Sequence, residues 1–122
     1  MDYIKVWQIN LHHCKASSFN LEKEVVGENR FLFLAQEPWV YKNKIRGIPP
    51  SWKMYQDPEC NNPRACIFTS ACVPGILLTQ FSHRDMTAIL IRDETGGLPL
   101  VVVSAYLPYD GTLPPPSLAG AN

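Results

Sequence analysis

The chain has 122 residues, of which 46% are hydrophobic and 18% charged, a balance typical of one globular domain or a piece of one. Its 11 basic and 11 acidic residues cancel, which excludes both a uniformly basic nucleic-acid-binding chain and an acidic tail. No apolar run approaches the roughly 20 residues that cross a bilayer. The beginning of the sequence also lacks the apolar core of a signal peptide, so we expect an intracellular protein.

The cysteines do not follow a zinc-binding pattern. The sequence has no Cys-x-x-Cys pair, and five residues separate Cys60 from Cys66 and Cys66 from Cys72. Residues 12–14, His-His-Cys, resemble a metal cluster, but adjacent side chains point in different directions and no distant partner is evident. We therefore expect no zinc, and reduced, mostly structural thiols at all cysteines, including Cys14.

Residues 1–36 predict a βαβ unit. Residues 3–9 alternate as in a strand that is partly covered on both faces. Residues 15–29 contain an apolar stripe at helical spacing, and Gly27 suits the end of a helix. Residues 31–35 are an uninterrupted apolar run of the length of a buried strand. The handedness rule for such units makes the two strands parallel.

After this unit the sequence predicts a loop and then a series of strands. Residues 38–50 are assigned to the loop because of their prolines and charges. Apolar segments bounded by turn residues follow at 52–56, 64–70, 75–80, 86–92 and 98–106. A turn at 94–97 joins the last two segments into a hairpin. Residues 111–116 are predicted to be extended, and residues 117–122 to be a disordered tail.

A basic and aromatic stretch, residues 38–53, contains no acid. Alternating cations and aromatic rings suit a phosphate backbone and unstacked bases. The alternative is a solvated loop whose aromatic residues pack back onto the sheet. The candidate nucleic-acid contacts are Lys42, Lys44, Arg46, Trp39 and Tyr41.

Two predicted strands end in polar residues that suit a metal site. Asn10 follows the first strand and Glu37 follows the second. Functional residues of α/β sheets gather at such strand ends, and a hard divalent cation prefers carboxylate and amide oxygens. Two alternatives stay open: Asn10 only caps the following turn, or Glu37 is only a solvated acid.

Three segments in this order resemble the endonuclease/exonuclease/phosphatase superfamily: residues 8–11, 35–39 and 104–110. The sequence is more closely similar to endonuclease domains of non-LTR retrotransposons. In those domains a strand ends in Asn, a helix follows, the next strand ends in Gln-Glu, and a later strand ends in Tyr-x-Pro. The resemblance implies an α/β fold over residues 1–116. The expected architecture is the N-terminal half of a DNase I-like two-sheet sandwich, with mixed and antiparallel strands and one main helix.

The resemblance also implies a function. It implies hydrolysis of DNA phosphodiester bonds with Mg²⁺ or Mn²⁺, in the nucleus if the protein is functional. Glu37 is then expected to ligate the metal, Asn10 to hold it or to orient a neighbour, and Tyr106 to reach the scissile phosphate. These roles fit Lewis-acid chemistry and hydrogen bonding to a developing oxyanion. Alternatively, Tyr106 only packs its ring and uses its hydroxyl in a structural hydrogen bond.

Two motifs of that family are absent from the sequence. Gly-Asp-x-Asn and Ser-Asp-His supply the family's water-activating base, further metal ligands and a phosphate-contacting histidine, and neither occurs here. We therefore expect a truncated, inactive endonuclease domain. The alternatives are a non-catalytic module that holds nucleic acid or protein through residues 38–53, and a phosphatase-type member of the superfamily. His83 and Asp85 resemble a catalytic dyad but are expected on the turn before the strand at Met86.

Absence of the family's second half predicts uncovered apolar surface. Strands without a facing sheet expose their apolar side chains and tend to associate. We therefore expect the chain to self-associate, with part of the following side chains exposed: Phe31, Phe33, Leu90, Ile91, Val101 and Val103.

Overall fold

A computed structural model describes residues 3–92 and 97–107. Its elements are β1 (Lys5–Asn10), α1 (Lys15–Phe19), α2 (Leu21–Glu24), β2 (Phe31–Gln36), β3 (Val40–Tyr41), β4 (Lys44–Ile45), β5 (Lys53–Tyr55), β6 (Ala65–Thr69), β7 (Gly75–Leu77), β8 (Met86–Ile91) and β9 (Leu100–Ala105). A short 3-10 helix, Thr79–Phe81, precedes β8. The predicted extended segment 111–116, the tail 117–122 and most of the turn at 94–97 lie outside the described residues.

The larger sheet has the strand order β1-β2-β6-β5. Strands β1 and β2 are parallel, in register from Lys5 opposite Phe31 to Asn10 opposite Gln36, which confirms the predicted pairing. Strand β6 is antiparallel to both β2 and β5. Because β2 and β6 lie in the middle of the sheet, nearly all their side chains are buried, and this explains their unbroken apolar sequences.

The smaller sheet, β7-β8-β9, is antiparallel and packs face to face on the larger one. Alternate side chains of the facing strands form the core between the two sheets. Its buried members are Leu32, Ile67, Val73, Ile89 and Ile91. The chain therefore supplies both layers of a sandwich.

A second core lies on the opposite face of the larger sheet. Phe33 stacks on Trp7, with ring centroids 5.1 Å apart, and on Trp52, 5.7 Å away. Leu21 of α2 and Leu11, which follows β1, are buried in the same cluster. Leu21 of α2 and loop residues such as Trp52 thus pack on one face of the larger sheet, while the smaller sheet covers the other.

The predicted helix at 15–29 is shorter than expected. It consists of two consecutive short segments, α1 and α2, and ends at Glu24. Val25 and Val26 are β-branched and lose rotamer freedom in a helix, and Gly27 adopts a left-handed conformation with φ 83°. These three residues end the helical region before the predicted boundary.

The four cysteines are free thiols, and Cys66 lies in the core, where burial raises its pKa. No helix in the described part of the chain is long and apolar enough to span a membrane.

The expectation that these six side chains are partly exposed is wrong for three of them. Phe31, Phe33 and Ile91 are buried, because Leu21 and Trp52 pack on one face of β2 and the chain's own second sheet covers β8. Val101 and Val103 are 56% and 43% exposed, since they point to the outer face of the smaller sheet. Leu90 on the same face is half-buried. The outer face of the smaller sheet therefore carries exposed apolar side chains.

The outer face generates a prediction about association. We expect the wild-type chain to self-associate and the V101T/V103T variant to do so less, because threonine keeps the β-branched shape but presents a hydroxyl to water. Sedimentation velocity over a range of concentrations measures this. Wild-type chain that stays monomeric throughout contradicts the prediction.

Candidate functional site at the strand ends

The carboxyl ends of β1 and β2 bring Asn10 and Glu37 to the same edge of the larger sheet. The Leu11 N–H donates to the Gln36 carbonyl over 2.8 Å, and the His13 N–H donates to the Glu37 carbonyl over 2.8 Å. These bonds continue the parallel pairing beyond the strands, so the segments that follow them remain adjacent. The predicted gathering of polar residues at one edge, called the rim below, is present.

Backbone conformation at the rim is unusual. His12, His13 and Glu37 have φ values of 52°, 53° and 50°, in the left-handed region that residues with a Cβ rarely adopt. Each such residue costs on the order of 1–3 kcal/mol, so the surrounding structure must enforce it. Strained backbone of this kind is concentrated at functional sites.

Asn10 caps the turn after β1. Its Oδ1 accepts a hydrogen bond from the His12 N–H over 2.8 Å, which confirms the turn-capping interpretation. This bond does not exclude a second role, because an amide oxygen has two lone pairs.

Glu37 and Tyr106 meet at the rim although they come from different sheets. Interaction with the Glu37 carboxylate raises the pKa of Tyr106, which shows that the phenol lies beside that carboxylate. The Glu37 side chain is 20% exposed, with His12 Nδ1 3.8 Å from its Oε2. All three residues with predicted catalytic roles, Asn10, Glu37 and Tyr106, therefore lie at the same rim.

A buried hydrogen-bonded link holds the two sheets together just behind these groups. Gln36 Nε2 donates to Ser104 Oγ over 3.2 Å, and Ser104 Oγ donates to the Ala35 carbonyl over 2.9 Å. Because Tyr106 lies two residues after Ser104, this link sets its distance from Glu37.

Arg64 and Asp85 complete the arrangement, and the sequence interpretation gave neither a role in the site. Arg64 makes a forked pair with Asp85, with N–O distances of 2.6 and 2.8 Å, and its Cζ lies 4.7 Å from the centre of the Tyr106 ring. The backbone carbonyls of this pair also hold the two rim residues. The Tyr106 N–H donates to the Asp85 carbonyl, and the Glu37 N–H donates to the Arg64 carbonyl. His83 and Asp85 do lie on the turn before β8, as predicted, but Asp85 pairs with Arg64.

Residues 38–50 are more ordered than a loop. Strands β3 and β4 form a hairpin whose central residues, Lys42 and Asn43, both have positive φ, as a type I′ turn requires. Asparagine tolerates that conformation, which is the signal that sequence reasoning missed.

The hairpin presents only part of the predicted nucleic-acid surface. Lys42, Lys44 and Arg46 are exposed, and Tyr41 is 54% exposed. Trp39 instead packs edge-on against Phe19 of α1, with centroids 6.2 Å apart, and is half-buried. The packing alternative thus describes Trp39, while the side chains of Lys42, Lys44 and Arg46 are exposed to solvent.

The donor set at the rim fits one kind of metal ion. Glu37 supplies one carboxylate and Asn10 one amide oxygen, and within the described ranges no group of three or more His, Cys, Asp or Glu residues is placed to hold a metal. Mg²⁺ is commonly bound through one or two carboxylates, with waters and substrate phosphates completing its octahedron. The rim fits such an ion when a phosphate is also present.

The left-handed conformation of Glu37 predicts that a glycine variant is more stable than an alanine variant, the reverse of the usual order. We expect E37G to be more stable than E37A by about 1 kcal/mol, because glycine adopts positive φ without the Cβ clash and both variants lose the same carboxylate. Urea unfolding of the two variants measures this. Equal stabilities, or a more stable alanine variant, contradict the observed backbone geometry.

The Arg64–Asp85 pair predicts a pH-dependent coupling. A double-mutant cycle with R64Q and D85N is expected to give a stabilising coupling at pH 7, since the two side chains form a forked ion pair. Arg64 lowers the pKa of Asp85 below its ordinary 3.8, so this stabilisation is present above pH 3.8 and disappears as pH falls through the lowered pKa. Unfolding at several pH values tests it. A coupling that is unchanged well below pH 3.8 contradicts it.

Comparison with known proteins adds evidence on the fold. No family model matches the sequence, and no curated protein is significantly similar to it. Among solved structures, the chain is similar to the "Endonuclease domain of TRAS1, a telomere-specific non-LTR retrotransposon", with a TM-score of 0.61 and 18% sequence identity. The match covers 85% of this chain and 44% of that one, so the chain spans less than half of that domain's length. The likeness establishes a DNase I-like fold, as the resemblance of the strand-end motifs implied.

Proposed function

We propose that the chain is part of a metal-dependent DNA endonuclease domain of the retrotransposon type, and that it holds the metal-binding carboxylate and part of the DNA-contacting surface. The observation that carries the proposal is the meeting of Glu37, Tyr106 and Asn10 at one rim of a fold shared with the TRAS1 endonuclease domain. A fold alone does not define a function, and the proposal therefore rests on these side chains.

Each rim residue has a chemical task under this proposal. Glu37, aided by Asn10, holds Mg²⁺ or Mn²⁺, which when bound polarises a phosphoryl oxygen as a Lewis acid. Under this proposal the Tyr106 hydroxyl, which lies beside the Glu37 carboxylate, donates to a phosphate oxygen at the same edge. Arg64 fixes Tyr106 by lying on its ring while its own charge is paired with Asp85.

The hairpin supplies the DNA contact. Lys42, Lys44 and Arg46 carry the positive charge that phosphate binding needs, and Trp39 joins the hairpin to α1. Tyr41, exposed beside the Lys42 ammonium at 5.5 Å, offers an aromatic surface to a base or sugar.

The chain alone is inactive under this proposal. The sequence has neither the Gly-Asp-x-Asn nor the Ser-Asp-His motif, and no other described acid at the rim is free to serve as the base, since Asp85 is paired. General acid–base assistance alone contributes about 10²–10⁴-fold to such reactions.

Manganese binding tests the metal site. We expect E37Q to weaken Mn²⁺ binding to the full chain at least about tenfold, since even the loss of an outer-sphere partner typically costs 10–100-fold. E22Q, a change of an exposed acid on α2, is the matched control and should bind as the wild type does. Titration of free Mn²⁺ by electron paramagnetic resonance measures both. Equal affinities in all three proteins contradict the metal site.

Plasmid nicking tests the inactivity. Supercoiled DNA incubated with the wild-type chain and Mg²⁺ is expected to be nicked no faster than with E37Q. Nicking that is lost in E37Q and kept in E22Q would show that the chain is a competent enzyme and that the missing motifs are dispensable.

A further inference from the structure

Three aromatic rings share one surface next to the rim. Trp39 makes an edge contact with Phe19 of α1, with ring centroids 6.2 Å apart. Val40 packs against the core, so its chain neighbours Trp39 and Tyr41 point to the other side of β3, because side chains alternate along a strand. These three rings, Phe19, Trp39 and Tyr41, are called the aromatic surface below.

Two of the three rings are largely open to solvent. Phe19 and Tyr41 are each 54% exposed, whereas Trp39 is half-buried. Single exposed apolar side chains are common on protein surfaces, but a contiguous group of them marks a binding site. The aromatic surface therefore offers ring faces to a ligand.

Each exposed ring has a lysine beside it. The Lys15 ammonium lies 5.8 Å from the centre of the Phe19 ring. The Lys42 ammonium lies 5.5 Å from the centre of the Tyr41 ring. Both lysines are exposed, and neither forms an ion pair with an acid in the described ranges. A planar group that stacks on either ring therefore finds a cation next to it for a negative charge.

The position of α1 against the hairpin is fixed by a close contact at Gly47. This glycine has a φ of 82°, and a Cβ there would lie 3.0 Å from the Ser18 Cβ and 3.1 Å from a ring carbon of Trp39. Only glycine fits both the conformation and the space. The rings from the two elements are therefore arranged before any ligand binds, which lowers the entropic cost of binding.

The charge around the aromatic surface favours a nucleic acid. The two segments that supply it, residues 11–19 and 38–53, contain no acid, and the second also carries Lys44 and Arg46. A single strand of nucleic acid presents planar bases and a series of phosphates, which suit aromatic rings and cations respectively. An acidic peptide would match the cations but leave the ring faces uncovered.

The rings select unpaired bases. In a duplex the faces of the bases are covered by stacking, and only their edges are accessible in the grooves. An aromatic side chain reaches the face of a base only when that base is unstacked, which costs free energy in a paired duplex and least in a single strand. The aromatic surface is therefore suited to single-stranded DNA or to an unpaired stretch within a duplex.

We propose that the aromatic surface binds single-stranded or locally unpaired DNA, with bases stacked on Phe19 and Tyr41 and phosphates paired with the lysine beside each ring. The assignment to DNA rests on the proposed function, and the aromatic surface adds the form of DNA that is recognised. Trp39 comes two residues after Glu37, so a strand bound to this surface passes next to the rim.

Binding in the absence of divalent metal tests the proposal separately from the metal site. The probes, used in EDTA with the full chain, are a fluorescein-labelled thymidylate strand about 15 nucleotides long and an abasic strand with the same number of phosphates. By fluorescence anisotropy we expect saturable binding of the thymidylate strand and at least about fivefold weaker binding of the abasic strand, since stacking of one base contributes at least that factor. Equal affinities would overturn the proposal and leave DNA binding by charge alone.

Variants locate the stacked bases. F19A and Y41A are each expected to weaken binding of the thymidylate strand at least about fivefold, whereas F19W, which keeps a stacking ring, should bind as the wild type does. F81A is the matched control, since Phe81 is also 54% exposed but belongs to the 3-10 helix before β8. Unchanged affinity in both F19A and Y41A, or an equal loss in F81A, would overturn the proposal.

Further probes identify any other occupant. A duplex with a run of thymine–thymine mismatches should bind more tightly than a fully paired duplex of the same length, and equal affinities would overturn the preference for unpaired bases. A uridylate RNA strand that binds at least about tenfold more tightly than the thymidylate strand would assign the surface to RNA. An acidic peptide of equal charge that displaces the thymidylate strand would assign it to a polypeptide. Each of these two assignments overturns the proposal.

Failure of this proposal and failure of the proposed function give different results. If no DNA strand or duplex binds, both this proposal and the DNA contact of the hairpin are wrong. If the thymidylate and abasic strands bind equally, only the stacking is wrong. Mn²⁺ binding by the wild type and E37Q reports on the metal site independently of either result.

Discussion

The parallel pairing of β1 with β2 is the constraint on which the rest of the molecule depends. It brings two strand ends to one edge, and the hydrogen bonds beyond the strands force His12, His13 and Glu37 into left-handed backbone. That conformation is unfavourable for these residues, so it persists only because the core on both faces of β2 fixes the strands. The packed core thereby fixes the position of the Glu37 carboxylate.

The smaller sheet brings Tyr106 to the rim that the larger sheet forms. Tyr106 reaches Glu37 because Ser104 is hydrogen-bonded to β2 from the end of β9, and because Asp85 holds the Tyr106 backbone. Arg64 joins these parts, since its carbonyl binds the Glu37 N–H while its guanidinium lies on the Tyr106 ring and pairs with Asp85. A rigid scaffold around a few polar groups is the arrangement that electrostatic catalysis requires.

Much of this could be predicted from sequence because it depends on local pattern. Short stretches of sequence are enough to predict the alternation in β1, the apolar run of β2 and the polar residues that end both strands. The family resemblance predicted the order of these motifs. Contacts between segments far apart in sequence could not be predicted this way. The Arg64–Asp85 pair joins two turns, and the burial of Phe31 and Phe33 depends on which elements cover β2. The helix boundary failed for a local reason, the left-handed Gly27 after two valines.

The proposal that rests most directly on the rim is a divalent-metal site at Glu37. Anomalous diffraction from crystals of the full chain grown with Mn²⁺ and a short DNA duplex tests it most directly. We expect one anomalous peak within bonding distance of the Glu37 carboxylate, with a phosphate oxygen beside it. An anomalous peak bound by His12 and His13 but not by the Glu37 carboxylate, or no peak at the rim, would contradict the metal site.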